Sequence, residues 1–339
     1  MKTLQINASK KYNVIIDKGL SSFKSQILPL IKGDKVAIVT DSNVEPLYYN
    51  LIANLLSDKT IYKIVIKAGE KSKNVKNYLK IIDDLCNFGF SRNSCVIGLG
   101  GGVIGDLAAF ASSTYMRGIN YIAIPTTLLS MVDSSVGGKT GVDLKAGKNL
   151  LGTFYQPTAV YVNVDFLNTL PSREILCGKG EIIKYLFIDS KISVSDIAEC
   201  DYESLIYKCL DIKREIVESD EKEAGNRMLL NFGHTVGHAL EKLYNYKLSH
   251  GECVIKGMYY SLKASFNLGY INKQNYYEAT KILKETGVSL KDKFTKAQIL
   301  KVMKSDKKTD GDLVNFVFSK GFANPLIKKL PLKEVLENV

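Results

Sequence analysis

The chain has 339 residues, 45% of them hydrophobic and 24% charged, the balance of a folded globular chain rather than a disordered or fibrous one. Apolar runs such as 108–111 fall far short of the ~20 residues a membrane span needs, so no membrane partner is expected. Net charge is +11, but lysine carries most of it along the whole chain without a basic block, which argues against nucleic acid and for an anionic small substrate.

In chain order, residues 1–17 are polar and strand-like and lack the apolar core and cleavage site of a signal peptide, so a cytoplasmic protein is expected. Six scattered cysteines without a CxxC pair suit reduced thiols and offer no cysteine zinc spacing. Apolar β-type runs at 35–40, 61–66, 95–98, 121–124 and 160–164 alternate with amphipathic segments, predicting βαβ units and a mainly parallel sheet. A helix is expected over 74–89, where Val75, Leu79, Ile82 and Leu85 recur at helical spacing. Past residue 168, helical patterns at 203–219, 228–243, 254–268 and 275–286 take over, with one strand signal at 315–319. The expected organisation is an α/β domain over 1–168 and a mostly α-helical one over 169–339, with a hinge at 166–172 and a ligand in the cleft between them.

The run at 95–98 leads through Gly100, Gly101, Gly102 and Gly105 to Asp106 and an expected helix at 107–116. Glycines let backbone amides approach a pyrophosphate, and a helix N-terminus adds unpaired N–H groups. Gly100, Gly102 and Gly105 satisfy GxGxxG, but no acidic residue follows about twenty positions on to hold a ribose. Asp41 and Asn43 after the first run, and Glu70 and Lys73 after the second, are the alternative contacts. The stretch 125–149 is rich in hydroxyl and glycine residues and reads as a substrate-shaping loop in which Asp133, Lys139, Lys148 and Asn149 orient hydroxyls and anionic groups.

All three histidines, His234, His238 and His250, lie close together in sequence. Arg227, Asn231, His234 and His238 are spaced four, three and four apart, which predicts one face of a single helix. The flanking Leu229, Leu230, Phe232, Val236 and Leu240 mark burial, where unpaired polar groups are costly, so a metal or ligand is called for. Glu181 and Lys184 place a carboxylate and an ammonium on an apolar helix upstream. Two histidines and one carboxylate with open positions make a catalytic divalent-metal site, most simply zinc. Spacing leaves open which histidine stays off the metal. Thr235 after His234 excludes the HExxH metalloprotease pattern.

Taken together, Gly100 to Asp106, Arg117 with Gly118, Pro125 with Thr126 and Thr127, Asp133 with Lys139, Lys148 with Asn149, Gly180 with Glu181 and Lys184, Asn231 with His234 and His238, and His250 with Gly251 and Glu252 form one pattern. That pattern resembles the 3-dehydroquinate synthase family of sugar-phosphate cyclases, related to glycerol dehydrogenases, over nearly the full length.

The resemblance implies an N-terminal Rossmann-like NAD-binding α/β domain, a mostly α-helical C-terminal metal-binding domain, and a homodimer. It implies Glu181, His234 and His250 as ligands of Zn2+, with Co2+ the alternative ion, and leaves His238 to meet the substrate. Lys139, Asn149, Lys213, Arg227 and Asn231 would bind the substrate's carboxylate and hydroxyls. Arg117, Lys184 and Lys308, or its neighbour Lys307, would meet its phosphate. NAD would contact Asp41, Asn43, Glu70, Lys73, Gly101, Gly102, Asp106, Thr126, Thr127, Lys148, Phe166, Thr169 and Glu174.

The implied reaction turns a phosphorylated keto-sugar acid, 3-deoxy-D-arabino-heptulosonate 7-phosphate, into 3-dehydroquinate. It proceeds by transient NAD-dependent oxidation, phosphate elimination, reduction and aldol closure, in the shikimate pathway to aromatic amino acids. The alternatives are another cyclase, such as 2-deoxy-scyllo-inosose synthase, or a metal- and NAD-dependent polyol dehydrogenase. Arg227, Lys139 and Asn149, as carboxylate partners, favour the dehydroquinate reading.

Overall fold

The structure, a computed structural model, describes residues 1–304 and 313–339. Lys307 and Lys308 lie outside the described residues. The chain divides into two compact units, Met1–Leu170 with Tyr202–Glu221, and Pro171–Asp201 with Lys222–Val339.

In the first unit, β1 (Lys2–Asn7), β2 (Lys11–Asp17), β3 (Lys35–Asp41), β4 (Thr60–Ile66), β5 (Cys95–Gly100), β6 (Asn120–Pro125) and β9 (Ala159–Asn163) form a seven-stranded sheet. Its order is β1-β2-β9-β6-β5-β3-β4, parallel except for the β1–β2 pair. Strands covered on both faces need apolar residues at nearly every position, and β5 is buried from end to end. Helices α1 (Phe23–Ile27), α2 (Glu45–Leu55), α3 (Val75–Asn87) and α4 (Gly102–Thr114) complete the α/β layers.

Three details depart from expectation. On α3 the buried contacts come from Ile81 and Leu85, while Leu79 is 50% exposed, because Tyr78 turns inward to stack on Phe110 of α4. α4 starts at Gly102 rather than 107, directly after the strand. The stretch 125–149 is ordered rather than a loop: a π-helical turn, Ser130–Ser134, precedes the strand β7 (Lys139–Leu144), which pairs antiparallel with β8 (Gly147–Phe154).

The second unit holds α5 (Ser172–Ile188), α6 (Val194–Glu199), α8 (His234–Leu243), α9 (His250–Asn267), α10 (Lys273–Glu285), α11 (Lys296–Lys304) and α12 (Leu332–Glu337). It also holds a hairpin of β10 (Leu313–Ser319) and β11 (Pro325–Pro331). The latter strand shows no apolar alternation, since Lys328 and Lys329 are both exposed. The helix α7 (Tyr202–Ser219), expected in the second unit by a boundary at 168, groups with the first. It packs on β1, β2 and the π-turn, and beside it Glu218 and Glu221 accept hydrogen bonds from the amides of Asn7 and Ser9 at 2.7 and 2.8 Å.

The single helix expected over 228–243 is two pieces. A 3-10 turn, Asn226–Asn231, ends at an extended Phe232, Gly233 sits at φ 79°, and α8 then begins at His234. Arg227 and Asn231 therefore do not share a helix face with His234 and His238. α9 begins at His250, earlier than the expected 254, because Ser249 caps it reciprocally with Glu252.

Glycines bring these helices unusually close. A Cβ on Gly257 would lie 1.8 Å from Gly233 O, and one on Gly251 would lie 2.1 Å from Cys177 O. Gly257→Ala is expected to lower stability by about 3 kcal/mol, seen as a fall in urea midpoint. Gly269→Ala, at φ 75° but with no atom near its Cβ, should cost only about 1 kcal/mol. Equal midpoints for the two variants would refute the close-crossing account.

Candidate metal and dinucleotide sites

Within the first unit, β4 and β5 lie on opposite sides of β3, so the chain reverses direction across the sheet there. Such switch points open a crevice at the carboxyl ends of the strands. Asp41 ends β3 and Asn43 follows it, with Asp41 Oδ1 accepting from the Asn43 amide at 2.8 Å. Gly101 and Gly102 follow β5 and lead into α4. A Cβ on Gly101 would meet Thr127 Cγ2 at 2.9 Å, so only glycine keeps this cradle open. Thr126 Oγ1 beside it is buried with no hydrogen-bond partner, an orphan polar atom of the kind a ligand satisfies.

Glu70 and Lys73 lie just beyond β4. Lys73 pairs closely with Asp106 and donates to Asn149 Oδ1 at 2.5 Å, while Lys148 reaches Glu70 at 3.1 Å. Burial lowers the affinity of Lys73 for its proton, but the Asp106 carboxylate more than offsets this and raises its pKa. Phe166 and Thr169 gather against Tyr48, whose ring lies 4.2 Å from that of Phe166. The structure thus brings Glu70, Lys73, Asp106, Lys148 and Asn149 into one network. Lys213 of α7 pairs closely with Asp133 of the π-turn. Lys139 and Arg117 are exposed, Arg117 at φ 66° after a kink at Met116.

The second unit builds its site on three helices. Gly180 of α5 packs against Gly251 of α9, with room for no Cβ, since one would come within 2.7 Å of Gly251 O. That approach sets Glu181, the next residue on α5, against His250, the first of α9. Glu181 Oε1 lies 3.2 Å from His234 Nε2 and 3.1 Å from His250 Nε2, and Oε2 lies 2.5 Å from the Lys184 ammonium. Burial alone would raise the Glu181 carboxyl, but Lys184 foremost, then His234 and His250, hold it well below the usual carboxylate range.

His250 is opposed by two carboxylates: burial disfavours its charge, yet the hydrogen bonds to Glu181 and Glu241 outweigh burial and push it up to about 10. A cation entering here competes with that proton. The donor set fits a divalent ion, because the three atoms lie within 4.8 Å of one another and the edge of a tetrahedron with ~2.05 Å bonds is ~3.3 Å. Cys177, beside Gly251, is no competitor, since burial pushes its thiol up to about 12.

His238, one turn along α8, has its ring centroid 5.4 Å from that of His234. A cavity of ≈ 280 Å3 is lined by His234, His238, Asn231 and Glu223, among others. Arg227 is 1% exposed. Two acidic residues were not anticipated. Glu223 at φ 61° accepts from Asn231 Nδ2 at 2.7 Å, and no spacing signal announces it. Glu241 accepts from His250 Nδ1 at 2.7 Å; its signal is the interval His234, His238, Glu241, a stripe on one helix face. Glu174 stands in the first turn of α5.

The family model for the 3-dehydroquinate synthase N-terminal part matches residues 63–177, and that for the C-terminal part matches 178–309. The 3-dehydroquinate synthase of Alkaliphilus metalliredigens is 41% identical over 96% of this chain and 94% of its own length. That of Clostridium acetobutylicum is 40% identical over 98% of both. Among solved structures, 2-deoxy-scyllo-inosose synthase complexed with carbaglucose-6-phosphate, NAD+ and Co2+ aligns with a TM-score of 0.90 at 24% identity, covering 99% of this chain and 98% of that one. The 2-epi-5-epi-valiolone synthase of Streptomyces hygroscopicus, with NAD+ and Zn2+ bound, aligns at 0.85 and 23%, covering 98% and 97%. At these identities the structures speak for the fold, whereas both family models and the near-complete relatives carry the assignment: the chain belongs to the 3-dehydroquinate synthase family.

Proposed function

We propose that the chain converts 3-deoxy-D-arabino-heptulosonate 7-phosphate into 3-dehydroquinate and phosphate, a carbon–oxygen lyase step of the shikimate pathway that uses NAD and a divalent cation. The observation that carries this reading, in a member of this family, is the convergence of Glu181 Oε1, His234 Nε2 and His250 Nε2. When bound, the cation would polarise a secondary hydroxyl of the substrate so that it loses its proton, and NAD would accept hydride from the carbon that bears it and later return it, so net redox is zero. Two nitrogens and one oxygen suit Zn2+ first and Co2+ next.

The chain's own residues bind and orient. Asp41, Asn43, Glu70, Lys73, Gly101, Gly102, Asp106, Thr126, Thr127, Lys148, Phe166, Thr169 and Glu174 hold the dinucleotide. The orphaned Thr126 Oγ1 and the Gly101 cradle support that assignment. Lys139, Asn149, Lys213, Arg227 and Asn231 bind the substrate's carboxylate and hydroxyls, with Asp133 orienting Lys213. Arg117, Lys184 and Lys308 meet its phosphate. His238 lines the cavity beside His234 and faces the substrate.

Once a ketone stands next to it, a C–H is acidified and the phosphate leaves by elimination, taking the proton as it goes. After the hydride returns, ring opening and aldol closure need chiefly that the groups be held in place and water kept out.

The remaining readings follow the same chemistry. Lysine-borne positive charge supports an anionic substrate over nucleic acid. Among the described residues no helix is long and apolar enough to cross a membrane; the cytoplasmic location proposed for the chain rests on its family resemblance. Leu144, Leu150, Leu151 and Phe154, 39–45% exposed on the β7–β8 hairpin, leave an apolar surface that supports a homodimer.

Purified chain given Zn2+, NAD and the heptulosonate phosphate is expected to release phosphate with no lasting absorbance from NADH. Steady NADH accumulation with glycerol, and no phosphate release, would make it a polyol dehydrogenase instead. His250→Ala is expected to lose bound metal and activity together, by metal analysis and the same assay. Full activity in a metal-depleted His250→Ala preparation would remove the site as drawn.

A further inference from the structure

The two histidines of the donor set are held differently at their far nitrogens. His234 Nδ1 lies 3.2 Å from the carbonyl of Phe232, a neutral backbone acceptor. His250 Nδ1 lies 2.7 Å from Glu241 Oε1, a carboxylate only 4% exposed. From this geometry we infer that Glu241 is a positioning residue for the cation: it accepts the hydrogen bond of His250 Nδ1–H, fixes the ring's rotation, and thereby aims the Nε2 lone pair at the point that Glu181 Oε1 and His234 Nε2 also face.

A neutral imidazole carries one N–H and one lone pair, so the partner at one nitrogen decides what the other offers. An acceptor at Nδ1 makes Nε2 the ligand atom, and a charged acceptor also raises its basicity. His250 needs this help more than His234. Both residues open their helices, but the His250 side chain is 28% exposed against 11% for His234. Without Glu241 its ring has one hydrogen-bonded end only.

The position of Glu241 on its helix supports the role. His234, His238 and Glu241 fall at i, i+4 and i+7 on α8, a stripe turned toward the start of α9. The close packing of these two helices, at Gly233 and Gly237 against Gly257 and Cys253, leaves the stripe little freedom to move.

His238, Glu241 and His250 also lie within the span of a possible second cation site. With His250 Nε2 committed to the first set, that second group lacks a lone pair at Nδ1, so the assignment of Glu241 as a hydrogen-bond acceptor predicts one ion per chain.

The inference rests on the proposed metal site, and the experiment separates the two. Full-length chain, stripped with chelator, is titrated with Zn2+ alone against a chromophoric competitor, and with Co2+ alone for its visible absorption bands. The parent is expected to bind one ion. Glu241→Ala is expected to bind it ~10–100-fold more weakly with altered Co2+ bands, and Glu241→Gln, which keeps an acceptor oxygen but not its charge, to bind it about tenfold more weakly, also with altered bands. Thermal melts with chelator present report folding independently of the ion. If Glu241→Ala does not fold, Glu241→Gln decides alone, by weakened affinity and altered bands. Failure of the parent to bind any ion defeats the metal site itself. Parent-like affinity and bands in a folded variant, or two ions per parent chain, overturn the role of Glu241 while leaving that site intact.

Discussion

A carboxylate with no solvent exposure needs compensation on every side, and Glu181 obtains it from one ammonium and two imidazoles. Removing such a charge from water costs on the order of several kcal/mol even after relaxation. Lys184, one turn further along the same helix, offsets part of that cost at Oε2. The opposite oxygen, Oε1, faces the two Nε2 atoms, and those atoms converge only because three helices touch at glycines. The architecture of the second unit follows from this requirement: Gly180 against Gly251 sets α5 on α9, and Gly237 and Gly233 against α9 set α8 on it.

The first unit answers a different requirement, that of the proposed dinucleotide site for backbone amides at an open sheet edge. Its parallel strands deliver their carboxyl ends to one edge, where the reversal beside β3 opens a crevice. The glycines after β5 and the short α4 N-terminus supply amides there, and the Lys73, Asp106 and Asn149 network braces the loops that follow β4 and β7. Polar groups are concentrated where the sheet ends, and the sheet interior stays apolar.

Much of this was legible in the sequence because burial leaves a period. The strands at 95–98, 121–124 and 160–164 read as near-continuous apolar runs because they lie inside the sheet and are buried along nearly their whole length, whereas the edge strand at 61–66 carries the exposed Lys63. That the chain carries a metal-type site was legible because histidine is scarce and all three copies lie within seventeen positions, whereas the choice of Glu181, His234 and His250 rested on the family resemblance. What stayed hidden depended on backbone torsion and on packing partners. Arg227, Asn231, His234 and His238 have perfect helical spacing, yet Gly233 at positive φ breaks the helix between them, since Val254 O and Met258 leave no room for a Cβ. Leu79 was expected inside because its spacing suits the core stripe, but the stack of Tyr78 on Phe110 rotates the face. The membership of α7 in the first unit depends on Glu218 and Glu221 reaching amides near residue 8, a long-range choice with no local signature. Glu223 reaches Asn231 from a left-handed backbone position that periodicity cannot register.

Glu181, His234 and His250 are proposed to hold one divalent ion together. Anomalous diffraction at the zinc edge, from crystals of the zinc-loaded chain, puts this to the test: one strong peak per chain is expected, about 2.0–2.2 Å from Glu181 Oε1, His234 Nε2 and His250 Nε2. A peak held instead by His238 and Glu241, or no peak in either place, would contradict it.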